Sequence, residues 1–232
     1  MPSSIEWGLD RILGPIQSLI KKEFLIDYKD RQVWLSVLLY IISTNYLVYQ
    51  SFQSIKDAEI WNTLLWIILL FAAFNVVSRS YDQERGDREL YLFMVASPQQ
   101  VIAAKMIYHS LFMVVMTLLS FFIFSFFIPF PNAIGLNMGL YLLGLVGGAL
   151  GLSTSLGLTS ALAWKAKGGS GMVAILGMPI IIPLLISAIG YSEGVVNGMT
   201  WLAVDRFAYA ILVLILLSAS LGYLLFPYIW RD

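Results

Sequence analysis

Residues 106–130 read MIYHSLFMVVMTLLSFFIFSFFIPF, a run of 25 residues in which no side chain carries a formal charge at pH 7. A helix needs roughly 20 mainly apolar residues to cross about 30 Å of hydrocarbon. Five other runs have a similar length and polarity. The six predicted spans are residues 33–52, 60–77, 106–130, 137–164, 172–191 and 207–230. We therefore predict an all-α integral membrane protein with six transmembrane helices.

The composition of the whole chain also favours a lipid-embedded protein. Hydrophobic residues make up 59% of the chain, charged residues only 12%, and the mean hydropathy is +0.81. Soluble domains carry about twice that share of charged residues, at roughly 25%.

The basic residues predict the orientation, because Lys and Arg are retained on the cytoplasmic side of a membrane. An even number of spans places both chain ends on one side. Twelve of the 14 lysines and arginines then share that side, and only Lys56 and Arg206 lie on the other. We predict cytoplasmic N and C termini. The zero net charge gives no indication of nucleic-acid binding, because the charges are sorted across the membrane.

Residues 1–32 have the pattern of an amphipathic helix. Apolar residues recur there at intervals of three and four, which places them on one helix face. They are Ile5, Leu9, Ile12, Ile16, Leu19, Ile20 and Phe24. Pro15 predicts a bend or a break in this helix. We interpret the segment as a cytoplasmic interfacial helix, either a surface anchor alone or one that also contacts a partner.

The segment between the second and third predicted spans, residues 79–105, is the one long polar loop. It reads RSYDQERGDRELYLFMVASPQQVIAAK and carries eight of the 28 formal charges of the chain. The predicted orientation places it in the cytoplasm, where a soluble partner could act on the membrane part. The 33–230 region is thus predicted to be one six-helix domain with this loop inserted.

Several kinds of chemistry are excluded by what the sequence lacks. The chain has no Cys, so it has no disulfide and no thiolate site. Its single His cannot form a multi-histidine metal site, and no G-x-x-x-x-G-K-[ST] motif is present to hold a nucleotide. The predicted spans contain no Asp or Glu, which weighs against a proton-driven transporter. The sequence predicts that the chain is not an enzyme and that any energy source is a separate protein.

Polar and small residues inside the predicted spans suggest helix packing. The polar residues are Asn45, Asn75, Thr117, Ser153, Thr154, Ser155, Thr159 and Ser160, and the glycines include Gly144, Gly147, Gly148 and Gly151. Such residues form hydrogen bonds between helices and allow close backbone approach. His109, near the cytoplasmic end of the third span, could be a packing residue or a ligand to haem iron.

The fifth predicted span carries two prolines four residues apart. Lys165–Gly190 reads KAKGGSGMVAILGMPIIIPLLISAIG, with Pro179 and Pro183 on one helix face. Proline removes a backbone donor, and two prolines at this spacing predict a kinked or unwound helix. A helix of this kind is either merely structural or part of a transport gate.

This block resembles the signature of the CcmB family, the membrane subunit of the haem exporter in system I cytochrome c maturation. The resemblance extends to the Lys22–Glu23 pair, to Arg79 with the acidic cluster that follows it, and to Ala104–Lys105 with His109. It implies an ABC-2-like permease of the bacterial cytoplasmic (inner) membrane that works as a homodimer. The implied partners are a CcmA-type ATPase that binds the ATP, CcmC- and CcmD-type membrane proteins, and a CcmE-type haem chaperone. Haem is the implied substrate, and no cofactor is expected on this chain.

The resemblance gives the polar loop a role in coupling to the ATPase. A short amphipathic helix with charged flanks and an apolar tip is suited to a groove on a soluble protein. The predicted coupling residues are Arg79, Asp82, Glu84, Asp87, Glu89, Leu90 and Phe93. The predicted gate or path residues are Gly168, Gly169, Pro179 and Pro183, and the candidate haem contacts are His109 and Trp201.

Three functions stay open from the sequence. The first is an ATP-driven permease for haem export or for release of the haem-loaded chaperone. The second is a scaffold that transports nothing and couples the ATPase to haem-handling partners. The third is a generic ABC-2 exporter of another substrate. A solvated loop that merely lies on the membrane is the alternative to the coupling role.

Overall fold

A computed structural model of the chain describes residues 4–29, 31–52, 55–77, 97–130, 137–166 and 169–231. Within these ranges all regular secondary structure is helical. The helices are α1 (Ser4–Lys29), α2 (Arg31–Phe52), α3 (Ala58–Val77), α4 (Pro98–Phe127), α5 (Met138–Lys165), α6 (Ser170–Val196) and α7 (Trp201–Arg231). The predicted all-α membrane fold is confirmed.

Helices α3 to α7 are each long and apolar enough to cross a membrane. Helix α2 passes the same test only together with the end of α1, from which it is bent by 67°, and this pair is the candidate for a sixth span. Helices α1 and α2 therefore point in different directions. Pro15 lies inside α1, and the helix continues through it. Of the bend or break predicted at Pro15, the break is not found.

Helix α4 begins at Pro98, well before the predicted start of its span at residue 106. Ser97 caps it: the Ser97 hydroxyl accepts a hydrogen bond from the Gln100 N–H, and the Gln100 side chain accepts one from the Ser97 N–H at 3.1 Å. Proline is well tolerated in the first turn, where its missing N–H would have had no helical partner. Residues 98–105 are therefore helical, and the polar loop is shorter than the predicted 79–105.

Helix α6 runs without a break through Pro179 and Pro183. The unwound helix, one of the two outcomes that the proline spacing predicted, is not found. Both rings lie on an exposed face of α6, so neither forces a buried neighbour aside. The remaining backbone hydrogen bonds of a 27-residue helix are enough to hold it together.

Helix α5 lies at the centre and packs against α3, α4, α6 and α7. Its glycines allow this: Gly144 faces the ring of Tyr191, Gly148 faces the indole of Trp66, and Gly151 faces α6. A methyl group at any of the three would collide with those side chains. The predicted close packing of small residues is confirmed here.

The predicted hydrogen bonds between helices are found for the serines of α5. Ser153 bonds to Ser110, Ser155 bonds to Ser218, and the Ser160 hydroxyl donates to the Val77 carbonyl. The side chains that instead donate to carbonyls of their own helices are Asn45, Asn75, Thr154 and Thr159. The Thr117 hydroxyl has no partner among the described residues.

Candidate coupling site

An ion pair joins α1 to the second turn of α4. The ammonium of Lys105 lies 3.3 Å from Oε2 of Glu23, and the ammonium of Lys22 lies 3.1 Å from Oε1 of the same carboxylate. Lys105 is only 2% exposed and Glu23 is 8% exposed. A buried pair of this kind fixes the relative position of the two helices, because separating it would leave a charge without a partner.

The electrostatics of Glu23 favour its charged form. Burial alone would raise the pKa of this carboxyl, but the ammonium groups of Lys105 and Lys22 outweigh the burial, and the pKa is lowered from 4.5. Glu23 is therefore a carboxylate at neutral pH. The contact between α1 and α4 is therefore an ion pair between a carboxylate and ammonium groups.

Asp27, one turn beyond Glu23 on α1, ties the same helix to two others. The Tyr108 hydroxyl of α4 donates a hydrogen bond to Oδ2 of Asp27 at 2.7 Å. The indole Nε1–H of Trp34, in α2, donates to the Asp27 carbonyl oxygen at 3.1 Å. The aromatic rings of Trp34 and Phe112 also pack edge to face, with their centroids 4.7 Å apart. We call these contacts, together with the Glu23–Lys105 pair, the α1–α4 junction.

His109 lies next to the junction and is almost fully buried, with 6% of its surface exposed. Neither ring nitrogen has a hydrogen-bond partner among the described residues. Its ring packs against Tyr108 with the centroids 5.3 Å apart. A molecule as large as haem could reach the imidazole only if the surrounding helices separated.

Trp201, the other candidate haem contact, lies far from His109. The α7 residue that faces the start of α4 is Gly222, next to Met106 and Ile102. Trp201 precedes Gly222 by six helical turns, which correspond to roughly 30 Å along the helix axis. Trp201 packs instead against Tyr191 near the other end of the bundle. His109 and Trp201 therefore do not form one site.

The predicted coupling residues lie outside the residues that the structure describes. They are Arg79, Asp82, Glu84, Asp87, Glu89, Leu90 and Phe93. Gly168 lies outside them as well, and Gly169 directly precedes α6 in an open position. Pro179 and Pro183 share their exposed face with Ile175 and Ile182. In the single chain this face points outward, so the two prolines do not line an internal passage.

Reasoning from the sequence noticed Lys22, Glu23 and Lys105 but did not pair them, and it missed Asp27 and Tyr108. A signal was available. Glu23 and Asp27 are four residues apart on one helix, and Lys105 and Tyr108 are three apart on another, so each pair projects from one face. Two acceptors opposite two donors at matching spacing predict a contact between the helices.

The fold and the junction define a class of protein: a multi-pass helical membrane protein in which a buried ion pair holds α1 against the first turns of α4. The residues that the structure describes include no cluster of three or more His, Cys, Asp or Glu side chains able to hold a metal ion. A sequence model of the CcmB family, described as CcmB protein, matches residues 15–225. The chain belongs to the CcmB family.

Membership makes the chain a permease-type membrane subunit of a haem-export system in c-type cytochrome biogenesis, and not itself an ATPase. The family that the proline block and the Lys–Glu pair indicated is thus confirmed. No curated protein sequence gives a significant match. No solved structure gives one either.

Proposed function

We propose that this chain couples ATP hydrolysis on a separate CcmA-type subunit to haem export, or to release of the haem-loaded chaperone. The observation that supports this most is the family match, which extends over residues 15–225 and so includes the polar loop. The chain has no nucleotide-binding motif of its own. The effect of ATP hydrolysis on the ATPase must then reach this chain through a contact between the two proteins.

In this proposal, the ATPase contacts the apolar tip of the loop at Leu90 and Phe93 and displaces it. The loop leads into Ser97, where the capping box fixes the start of α4. Two turns further along, Lys105 is paired with Glu23 of α1. A rigid helix with a buried ion pair passes a displacement on, because close-packed elements transmit strain rather than absorb it. Helices α1 and α4 would move as one body.

The partners follow from the family. Two copies of the chain would form a homodimer with two ATPase subunits, next to CcmC- and CcmD-type membrane proteins, and would act on a CcmE-type chaperone outside. The orientation rests on the distribution of lysine and arginine, with both termini and the loop in the bacterial cytoplasm.

The packed interior supports the chaperone-release form of the proposal. In the part of the chain that the structure describes, the centre is occupied by buried apolar side chains and by glycines in direct contact with them, including Trp66 and Tyr191. The buried serines of α5 are engaged in hydrogen bonds to other helices, and the one histidine is enclosed, so this interior offers haem no open route. A passage between two copies, along the face of Pro179 and Pro183, is the alternative.

Deletion of the gene tests the proposal. We expect c-type cytochromes, measured by haem staining, to be lost from the deletion strain and restored by the intact chain. The ATPase should co-purify with the tagged chain. Normal cytochromes in the deletion strain would instead indicate a generic ABC-2 exporter.

A further inference from the structure

Two adjoining crevices open beside the α1–α4 junction. The first has a volume of about 540 Å³ and lies between α1, α2 and α4. The second, of about 820 Å³, lies between α1 and α2. Both are lined by Phe24 and Trp34, so the two crevices meet at these side chains.

The first crevice is apolar along its length. Tyr108 and Phe112 lie at its buried floor, and its rim carries Leu111 and Val115, which are 60% and 57% exposed. The polar atoms of Tyr108 and Trp34 are already bonded to Asp27, as described above. The lining therefore suits a hydrocarbon chain rather than a polar ligand.

Each crevice has one lysine in its lining. Lys21 belongs to the first and Lys29 to the second, and both side chains are exposed. Among the described residues neither ammonium forms an ion pair, in contrast to Lys22 and Lys105. Lysine near a membrane surface attracts anionic head groups.

We propose that these crevices bind one anionic diacyl phospholipid. One acyl chain lies in each crevice, on either side of Phe24 and Trp34, and the head-group phosphate lies toward Lys21 and Lys29. Two neighbouring crevices, each lined mainly by aromatic and aliphatic side chains and each with one exposed lysine, match a ligand that has two chains and one negative charge. A transmembrane helix of a partner would match the apolar lining but not the two lysines.

The lipid would add to the junction rather than replace any of its contacts. It would fill space beside Tyr108 and Trp34, the two side chains that donate to Asp27. The inference does not depend on the coupling role of the loop, because it concerns only residues of α1, α2 and α4.

Quenching of Trp34 fluorescence tests the proposal. The full chain is placed in phosphatidylcholine nanodiscs that contain an equal fraction of acyl-brominated phosphatidylglycerol or acyl-brominated phosphatidylcholine. We expect stronger quenching by the brominated phosphatidylglycerol, and we expect the excess to disappear in Trp34→Phe. Lys21→Gln and Lys29→Gln should each reduce the preference about fivefold. Lys165→Gln, an exposed lysine at the end of α5, should leave it unchanged.

Equal quenching by both lipids would overturn the proposal, since it would indicate only the ordinary lipid boundary. So would a phosphatidylglycerol preference that survives loss of both lysines, or a Trp34 signal that neither lipid quenches, as a covering protein would produce. Should Trp34→Phe fail to fold, the lipids that co-purify from mixed membranes give the second measurement. Their ratio of phosphatidylglycerol to phosphatidylethanolamine should fall in Lys21→Gln with Lys29→Gln and stay unchanged in Lys165→Gln.

Discussion

The Lys105 ammonium lies 3.3 Å from the Glu23 carboxylate, and this contact joins the helix that follows the polar loop to the helix that precedes the first span. The two residues are 82 positions apart in the chain. Both side chains are buried, so removing either one would leave the other as a buried charge without its partner, which destabilises the folded protein.

Replacing one of the two residues should therefore destabilise the folded protein more than replacing both. Lys105→Met should destabilise the protein by about 3–5 kcal/mol, because the buried Glu23 carboxylate loses the counter-charge of Lys105. The double variant with Glu23→Gln should recover most of that loss. Thermal unfolding in detergent measures both, with Lys165→Met as the exposed control. Additive losses, in which Glu23→Gln costs as much in the Lys105→Met background as it does in the wild type, would show that the two residues do not interact.

The same double variant separates stability from coupling. If α1 and α4 must move together, the stable double variant should still make markedly less c-type cytochrome than the wild type. Full cytochrome assembly in this variant would mean that the ion pair only holds the fold together.

Glu23 should make the stability of the protein depend on pH. Its folded pKa lies below 4.5, so the carboxylate stabilises the folded state fully above that value. The contribution is lost as the pH falls through the folded pKa. The difference in unfolding temperature between the wild type and Glu23→Gln should thus be large near neutral pH and shrink in acid. A difference that grows in acid would contradict the lowered pKa.

The sequence predicted the apolar helices well because a lipid-facing span needs a long uncharged run, and that property is local. It did not predict the start of α4, because residues 98–105 contain two glutamines and a lysine and look like part of the polar loop. The helix forms there because Ser97 caps it and α1 gives Lys105 a partner. The second reason depends on contacts between distant residues, which no local pattern records.

The outcome at the prolines has a similar cause. The spacing of Pro179 and Pro183 indicates a weakened helix, but whether the helix breaks depends on what surrounds it. The packing of α6 against α5 decides which face of α6 is buried. Pro179 and Pro183 lie on the other, exposed face.

Gly148 should tolerate no side chain, in contrast to its neighbour. A methyl group at Gly148 would collide with the Trp66 indole, whereas one at Gly147 would meet Ile211 Cγ2 at an ordinary 3.6 Å. We expect Gly148→Ala to cost about 1–3 kcal/mol, as overpacking usually does. Gly147→Ala should be close to neutral. Thermal unfolding of the two variants, compared directly, checks the central position of α5.

Pro179→Leu with Pro183→Leu should yield a stable protein, because both side chains lie on an exposed face and leucine favours a helix. If this face forms a gate against a second copy, cytochrome assembly should fall although the protein is inserted and folded. A large loss of unfolding temperature would instead assign the prolines to packing.

The central claim is that the polar loop transmits the work of a separate ATPase. The most direct measurement is the amount of CcmA-type ATPase that co-purifies with Leu90→Asp and Phe93→Asp together, alongside the c-type cytochromes that the variant restores. Met199→Asp with Leu202→Asp is the matched control, since these apolar residues are exposed near the opposite end of the bundle. We predict that the loop variant inserts normally but loses both the ATPase and the cytochromes, while the control retains them. Full co-purification and full cytochrome assembly by the loop variant would contradict the account.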